Sequence, residues 1–174
     1  MKRDKLRYLL SVLLMTACVE ASAVGDPVAI SVTGNVVASP CVVDPDTKDK
    51  TIDFDKIYSK DLSEAGTGSV WKDFSLLVKQ CPAATTKAKV TFSGTPDQDD
   101  ATAFETTGEA TNVALRLASR DHAVNYGNGS VMEMPINSSD HTATFPLSAR
   151  LFTPNGAAGA GSFETTVSLT FTYQ

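Results

Sequence analysis

The side chains of this chain that could react or ligate are few. They are three cysteines, two histidines, the run Asp97-Gln98-Asp99-Asp100 and one tryptophan, Trp71. The histidines lie in Arg120-Asp121-His122-Ala123 and Ser139-Asp140-His141-Thr142, so a serine or an aspartate stands beside each. Those are the ingredients of a nucleophilic triad, but no Gly-x-Ser-x-Gly elbow and no flanking oxyanion loop accompany them. Both segments read as polar loops with exposed histidines. The aspartate run lacks the turn glycine and distal glutamate of an EF-hand loop and reads as a solvated loop. Trp71, followed by Lys72-Asp73, has the chemistry of a sugar platform, and the commoner role is a half-buried strand aromatic. The expectation is no catalytic residue, no metal site and no cofactor.

The cysteines lead to the N-terminus. Lys2, Arg3, Lys5 and Arg7 make a basic start, and Tyr8 to Val19 is an apolar run too short to span a bilayer. Ala21-Ser22-Ala23 then supplies a small-residue cleavage site, so residues 1–23 are expected to be a secretory signal. Met15-Thr16-Ala17-Cys18 offers a rival reading as a lipoprotein signal, and both readings imply export. Cleavage after Ala23 removes Cys18 and leaves Cys41 and Cys81 as a pair in an oxidising compartment. A disulfide between them is expected to stabilise by about 4 kcal/mol in the chain-entropy model. Cleavage also takes four of the 15 basic residues and two of the 20 acidic ones, so the mature chain is more acidic than the −5 of the whole. Such a charge offers no footprint for nucleic acid or an anionic membrane.

The stretch that needs a partner is the last one, residues 161–174. Gly161, Phe163, Val167, Leu169, Phe171 and Tyr173 share one parity with Thr165, and the other parity is polar throughout. Successive strand residues point to opposite faces, so this is a strand with one apolar face. The sequence closes at Gln174 with no hairpin to cover that face, an aggregation hazard unless another polypeptide supplies the neighbour. A second alternation opens the mature chain: Val28, Ile30, Val32, Gly34 and Val36 share a parity between Asp26-Pro27 and Ser39-Pro40. The pattern fits a strand donated to another chain and equally an ordinary first strand of the domain's own sheet.

Between these ends the chain reads as all-β. Strands are expected at Thr51–Asp55, Val70–Lys79, Lys89–Gly94, Val113–Leu117 and Thr142–Phe152, the last interrupted by Pro146 at a bulge or edge. Asp44-Pro45-Asp46, Leu62–Ser69, Gln98–Thr102, Asn125–Ser130 and Pro154–Gly161 read as turns or loops, and no helical period persists beyond two turns. Short strands and a disulfide in an exported chain point to a sandwich.

Taken together, the chain resembles the structural pilins of chaperone–usher fimbriae. The features are the signal, the N-terminal alternation with in-phase Gly34, the Cys41/Cys81 pair with Cys81-Pro82, Gly161 fourteenth from the end, and penultimate Tyr173. The segments Asn35-Val36-Val37-Ala38-Ser39-Pro40-Cys41, Ile57-Tyr58-Ser59, Val70-Trp71-Lys72-Asp73, Phe92-Ser93-Gly94 and Phe145-Pro146-Leu147 look like the minor tip-fibrillum adaptor branch of type 1 fimbriae. Pro27-Val28-Ala29 departs from that branch.

The resemblance implies an incomplete immunoglobulin-like β-sandwich that lacks its final strand. It implies a signal at 1–23, a donor-strand extension at 24–38 and a pilin domain at 39–174. Val28, Ile30, Val32, Gly34 and Val36 would be the donor residues. Gly161, Phe163, Val167, Leu169, Phe171, Tyr173 and Gln174 would line the acceptor groove and meet a chaperone. The implied partners are a periplasmic chaperone, an outer-membrane usher and neighbouring subunits including a tip adhesin, with no nucleic acid and no membrane insertion. The implied function is a minor subunit that polymerises by donor-strand exchange, links the tip adhesin to the fibre and supports cell adhesion. A major rod pilin is the alternative. A secreted receptor-binding adhesin fits less well, because it needs a lectin domain ahead of the pilin domain.

Overall fold

The computed structural model describes residues 28–36 and 40–174. The expected signal, and residues 24–27 and 37–39 of the expected extension, lie outside the described residues. The chain divides into two units, Met1–Asn35 and Val36–Gln174. In the first, no regular secondary structure forms over 28–35, and Val28, Ile30 and Val32 are 85%, 85% and 89% exposed. The expected strand is therefore not formed. Alternation fixes which residues share a face, but a strand also needs a ladder partner for its N–H and C=O groups.

Among its described residues the second unit contains ten short strands in chain order. They are β1 Val42–Val43, β2 Lys72–Lys79, β3 Lys87–Ser93, β4 Phe104–Glu105, β5 Thr107–Gly108, β6 Ala114–Ser119, β7 Val131–Pro135, β8 Ala143–Phe152, β9 Phe163–Glu164 and β10 Ser168–Tyr173. One helical turn, α1 at Pro45–Lys48, and a 3-10 turn at Ser59–Leu62 complete the elements. The strands make a five-stranded sheet, β1-β2-β8-β6-β4, a three-stranded sheet, β10-β3-β7, and the pair β5-β9. All these pairings are antiparallel.

Period-two patterning explains why the two larger sheets face each other. On β8, Ala143, Phe145, Leu147, Ala149 and Leu151 are buried on one face, while Thr144 is exposed and Arg150 half-exposed on the other. Leu76 and Val78 from β2 join that face, and Ala88, Val90 and Phe92 from β3 meet it from the opposite sheet. Pro146 does not interrupt β8, contrary to expectation, but it does stand at an edge-like position as expected. It pairs with Ser75 of β2, while β6 reaches only to Leu147, so Pro146 stands where β8 has a neighbour on one side only. The proline's missing donor is not needed there.

The turn at Asp44-Pro45-Asp46 is a short helix start. The Asp44 carboxylate accepts the Asp46 N–H at 3.0 Å, and Pro45 occupies the first helical position. Cys41 and Cys81 are disulfide-bonded, beside the pairing of β1 with the end of β2 at Val42↔Lys79.

Candidate functional site

The expected last strand is present as two pieces, β9 and β10, with the faces that its alternation requires. Phe163, Thr165, Val167, Leu169, Phe171 and Tyr173 are half-buried, and every even-numbered residue between them is exposed. β10 pairs with β3 from Ser168↔Ser93 to Tyr173↔Ala88. Beyond it, the Gln174 backbone oxygen accepts the Thr86 and Lys87 amides at 2.6 and 3.0 Å. At the other end the Ser162 carbonyl accepts the Glu109 and Ala110 amides, and β5 pairs with β9. Backbone groups alternate in direction along a strand, so even-numbered residues bond toward β3 and β5. The odd-numbered residues present their amides and carbonyls to the opposite edge, where no strand of the described residues pairs with β10.

That edge borders an elongated groove of about 1150 Å³. Its floor is apolar and comes from both sheets: Leu76, Phe92, Leu115, Leu117, Leu147 and Ala149. One wall is residues 161–169 with Phe171, and the other is Val43 with residues 47–55. The far wall contains Thr51–Asp55, expected as a strand. The structure gives it no regular assignment, because it has no ladder partner among the described residues. Its alternation is still expressed: Ile52 is half-buried and Phe54 buried, both against the core, while Thr51, Asp53 and Asp55 are exposed.

Two details shape the groove. The Phe54 and Phe163 rings approach to 6.2 Å between centroids from opposite walls and narrow it. Phe163, with Asp55 and Gly161, also lines a second cavity of about 360 Å³, whose apolar side is Ile57, Leu62, Val113 and Leu151. Gly161 is required by close approach, since a Cβ there would stand 2.5 Å from the Glu109 carbonyl carbon and 2.6 Å from the Ala110 nitrogen. Gly34 is different, because a Cβ there would meet nothing within 4 Å.

The sequence reading missed the far wall as part of a site and missed the second cavity. The alternation of Ile52 and Phe54 marks the wall, but nothing local shows that it faces residues 161–171. Tyr173 is half-buried, and that burial raises its phenol pKa.

The residues that invited catalysis do not come together. His122 and His141 are exposed, each at a turn with positive φ. Trp71 is not an open platform: His122 stacks on it at 4.2 Å and 9°, and the Arg150 guanidinium lies 4.7 Å from its centroid. In the aspartate run, Asp97 accepts the Asp99 and Asp100 amides, and Asp100 pairs with Arg116. Among the described residues, no three His, Cys, Asp or Glu side chains could hold one metal ion.

A two-sheet antiparallel sandwich with one open apolar groove and one disulfide is the architecture of pilins. The fimbrial protein family matches residues 30–174. Protein FimG of Escherichia coli K12 is 34% identical over 99% of both chains. S-fimbrial adhesin protein SfaS of Escherichia coli O6:K15:H31 is 32% identical over 97% of this chain and 99% of its own. Among solved structures, the P pilus rod subunit PapA superposes with a TM-score of 0.67, covering 78% of this chain and 100% of that one at 20% identity. The chain belongs to the fimbrial protein family. It is a structural fimbrial subunit like its relatives, not an enzyme, and belongs to the surface fimbriae into which such subunits are exported and assembled. Its fold is the immunoglobulin-like sandwich with a missing strand.

Proposed function

We propose that this chain is a minor fimbrial subunit that polymerises by donor-strand exchange and links a tip adhesin to the fibre. The observation that carries the reading is the unpaired edge of residues 161–173 beside a long apolar groove. Such an edge takes an extended peptide by ladder bonds, while pockets for alternate side chains select the sequence. In the periplasm a chaperone strand fills the groove. At the usher, the N-terminal extension of the next subunit replaces it. The chain's own extension, residues 24–38, fills the groove of the subunit nearer the tip. Val28, Ile30, Val32 and Val36 are exposed apolar side chains on one parity, as a donor requires. The 34% identity to FimG over the full length supports the adaptor position.

The groove also proposes a register. A copy of Val28–Val36 inserted antiparallel to residues 161–173 would set Val28 beside Phe171, Ile30 beside Leu169 and Val32 beside Val167. Gly34 then lies beside Thr165, one same-face position from the narrowing made by Phe54 and Phe163. Val36 reaches Phe163 at the mouth of the smaller cavity.

Fusing Val28 to Ala38 behind Gln174 through a short flexible turn tests the missing strand. The turn makes the added strand antiparallel to β10, and the linker makes insertion intramolecular at an effective concentration near ~1 mM. The fusion should be a soluble monomer that needs no chaperone and melts well above the unfused chain. A one-residue slip turns every valine outward, and replacing Ile30 and Val32 by Asp in the added strand should abolish the gain. A fusion that melts no higher than the unfused chain, or an Asp control that melts as high, overturns the reading.

A further inference from the structure

After residue 7 the chain has three arginines, Arg116, Arg120 and Arg150. All three gather on the outer face of the five-stranded sheet. Arg116 of β6 and Arg150 of β8 are directly opposed across the strand pair, an arrangement in which like charges destabilise. Arg116 is neutralised by Asp100. Arg120, just after β6, lies 3.6 Å from Asp73 and donates to the Phe74 carbonyl at 2.9 Å. Arg150 meets no carboxylate among the described residues, and its buried Nε finds no acceptor. Its guanidinium is held in place by rings instead, 4.7 Å from the Trp71 centroid and 5.8 Å from that of Phe152, over which Arg116 also lies at 3.7 Å. Burial and the charge of Arg116 both lower its pKa.

We propose that this face is a docking site for an acidic peptide segment of another pilin subunit, with one of its carboxylates bound by the Arg150 guanidinium. A pre-oriented guanidinium opposite a second one, whose own carboxylate partner is Asp100, is a place where an incoming carboxylate makes strong charge-assisted hydrogen bonds. Charge complementarity favours a subunit, because the chain is itself acidic at −5 and exposes carboxylates such as Asp99. A sugar-borne carboxylate is disfavoured, since the Trp71 ring already stacks on His122 and packs against the Arg150 guanidinium. The choice of partner rests on the fimbrial-subunit reading. The test does not involve the groove, so its failure leaves strand exchange standing.

Trp71 is the only tryptophan in the chain, so its emission reports on this site. The full chain, with any protein that co-purifies, is titrated with a capped peptide copying Thr95–Ala101 and separately with glucuronic acid. Subtracting the same titration of Trp71→Phe isolates the local signal. A saturable change with the peptide is expected, with the Kd raised about tenfold in Arg150→Gln and less in Arg150→Lys, which keeps the charge but loses the fork. Raising the salt to about 0.5 M should weaken binding further. The proposal is overturned if the peptide gives no saturable change, if both Arg150 variants bind it as tightly as wild type, or if glucuronic acid binds and the peptide does not.

Discussion

Thr170 and Phe171 are neighbours on β10 with opposite surroundings. Phe171 is half-buried and meets the Phe145 ring edge-on at 5.6 Å, whereas Thr170 is exposed. A charge at Phe171 or Tyr173 loses its water against an apolar floor, at a cost of several kcal/mol that nothing nearby compensates. We expect Phe171→Asp and Tyr173→Asp to abolish periplasmic accumulation and Thr170→Asp to change stability by no more than about 0.5 kcal/mol. Immunoblots of periplasmic extracts check this, and equal levels of all three variants would show that the faces are reversed. Gly161→Ala forces the new methyl into the Glu109–Ala110 backbone and should cost ~1–3 kcal/mol, read from the urea midpoint. Tyr173 has a pH signature. Burial raises its folded-state pKa, so its contribution is intact below the unfolded value of about 10 and is lost as pH rises toward the folded one. Melting curves between pH 9 and 11 should therefore fall less steeply for Tyr173→Phe.

At the scale of elements, the disulfide fixes the chain just ahead of β1 and the far wall of the groove. Cys41 enters β1, and residues 47–55 follow directly as that wall. Replacing Cys41 and Cys81 by Ser should cost about 2–5 kcal/mol in the strand-complemented protein and weaken chaperone capture. Urea unfolding and co-purification with the chaperone are the measurements, and two free thiols in periplasmic protein would remove the premise. The parts of this arrangement that were legible in the sequence are those set by local alternation. The two faces of residues 161–173, the burial of Ile52 and Phe54, and β2, β3, β6 and β8 all follow from period two. What escaped is set by pairing and not by local alternation. β4 and β5 are two-residue pairings with Ala114–Leu115 and Phe163–Glu164, too short to leave a period. β7 inserts Met132 and Met134, which carry little β signal, and its Pro135 reads as a boundary. Thr51–Asp55 has a strand's pattern without a strand's hydrogen bonds, since pattern reports the face and not the neighbour.

At the scale of the whole molecule, the proposed function assigns one end of the chain to giving and the other to receiving, so the two must separate experimentally. Val28, Ile30, Val32 and Val36 are exposed, and the core of Val36–Gln174 is assembled from residues between Cys41 and Tyr173. Deleting Val24 to Ala38 therefore removes no described residue of that core. The truncated protein should still be captured by its chaperone, with a yield within about twofold of the full chain, because capture uses only the groove beside residues 161–173. It should fail to attach to the subunit nearer the tip. Fibres sheared from such cells should lack the adhesin if this chain links adhesin to fibre. If the chain instead repeats along the rod, the adhesin-bearing tip should persist while the rod shortens. Quantitative mass spectrometry of sheared fibres, counting this chain against the adhesin and the rod subunit, separates the two outcomes. A truncated chain that is degraded even with chaperone present would mean that residues 28–36 belong to the domain's own sheet, and the donor assignment would then fail.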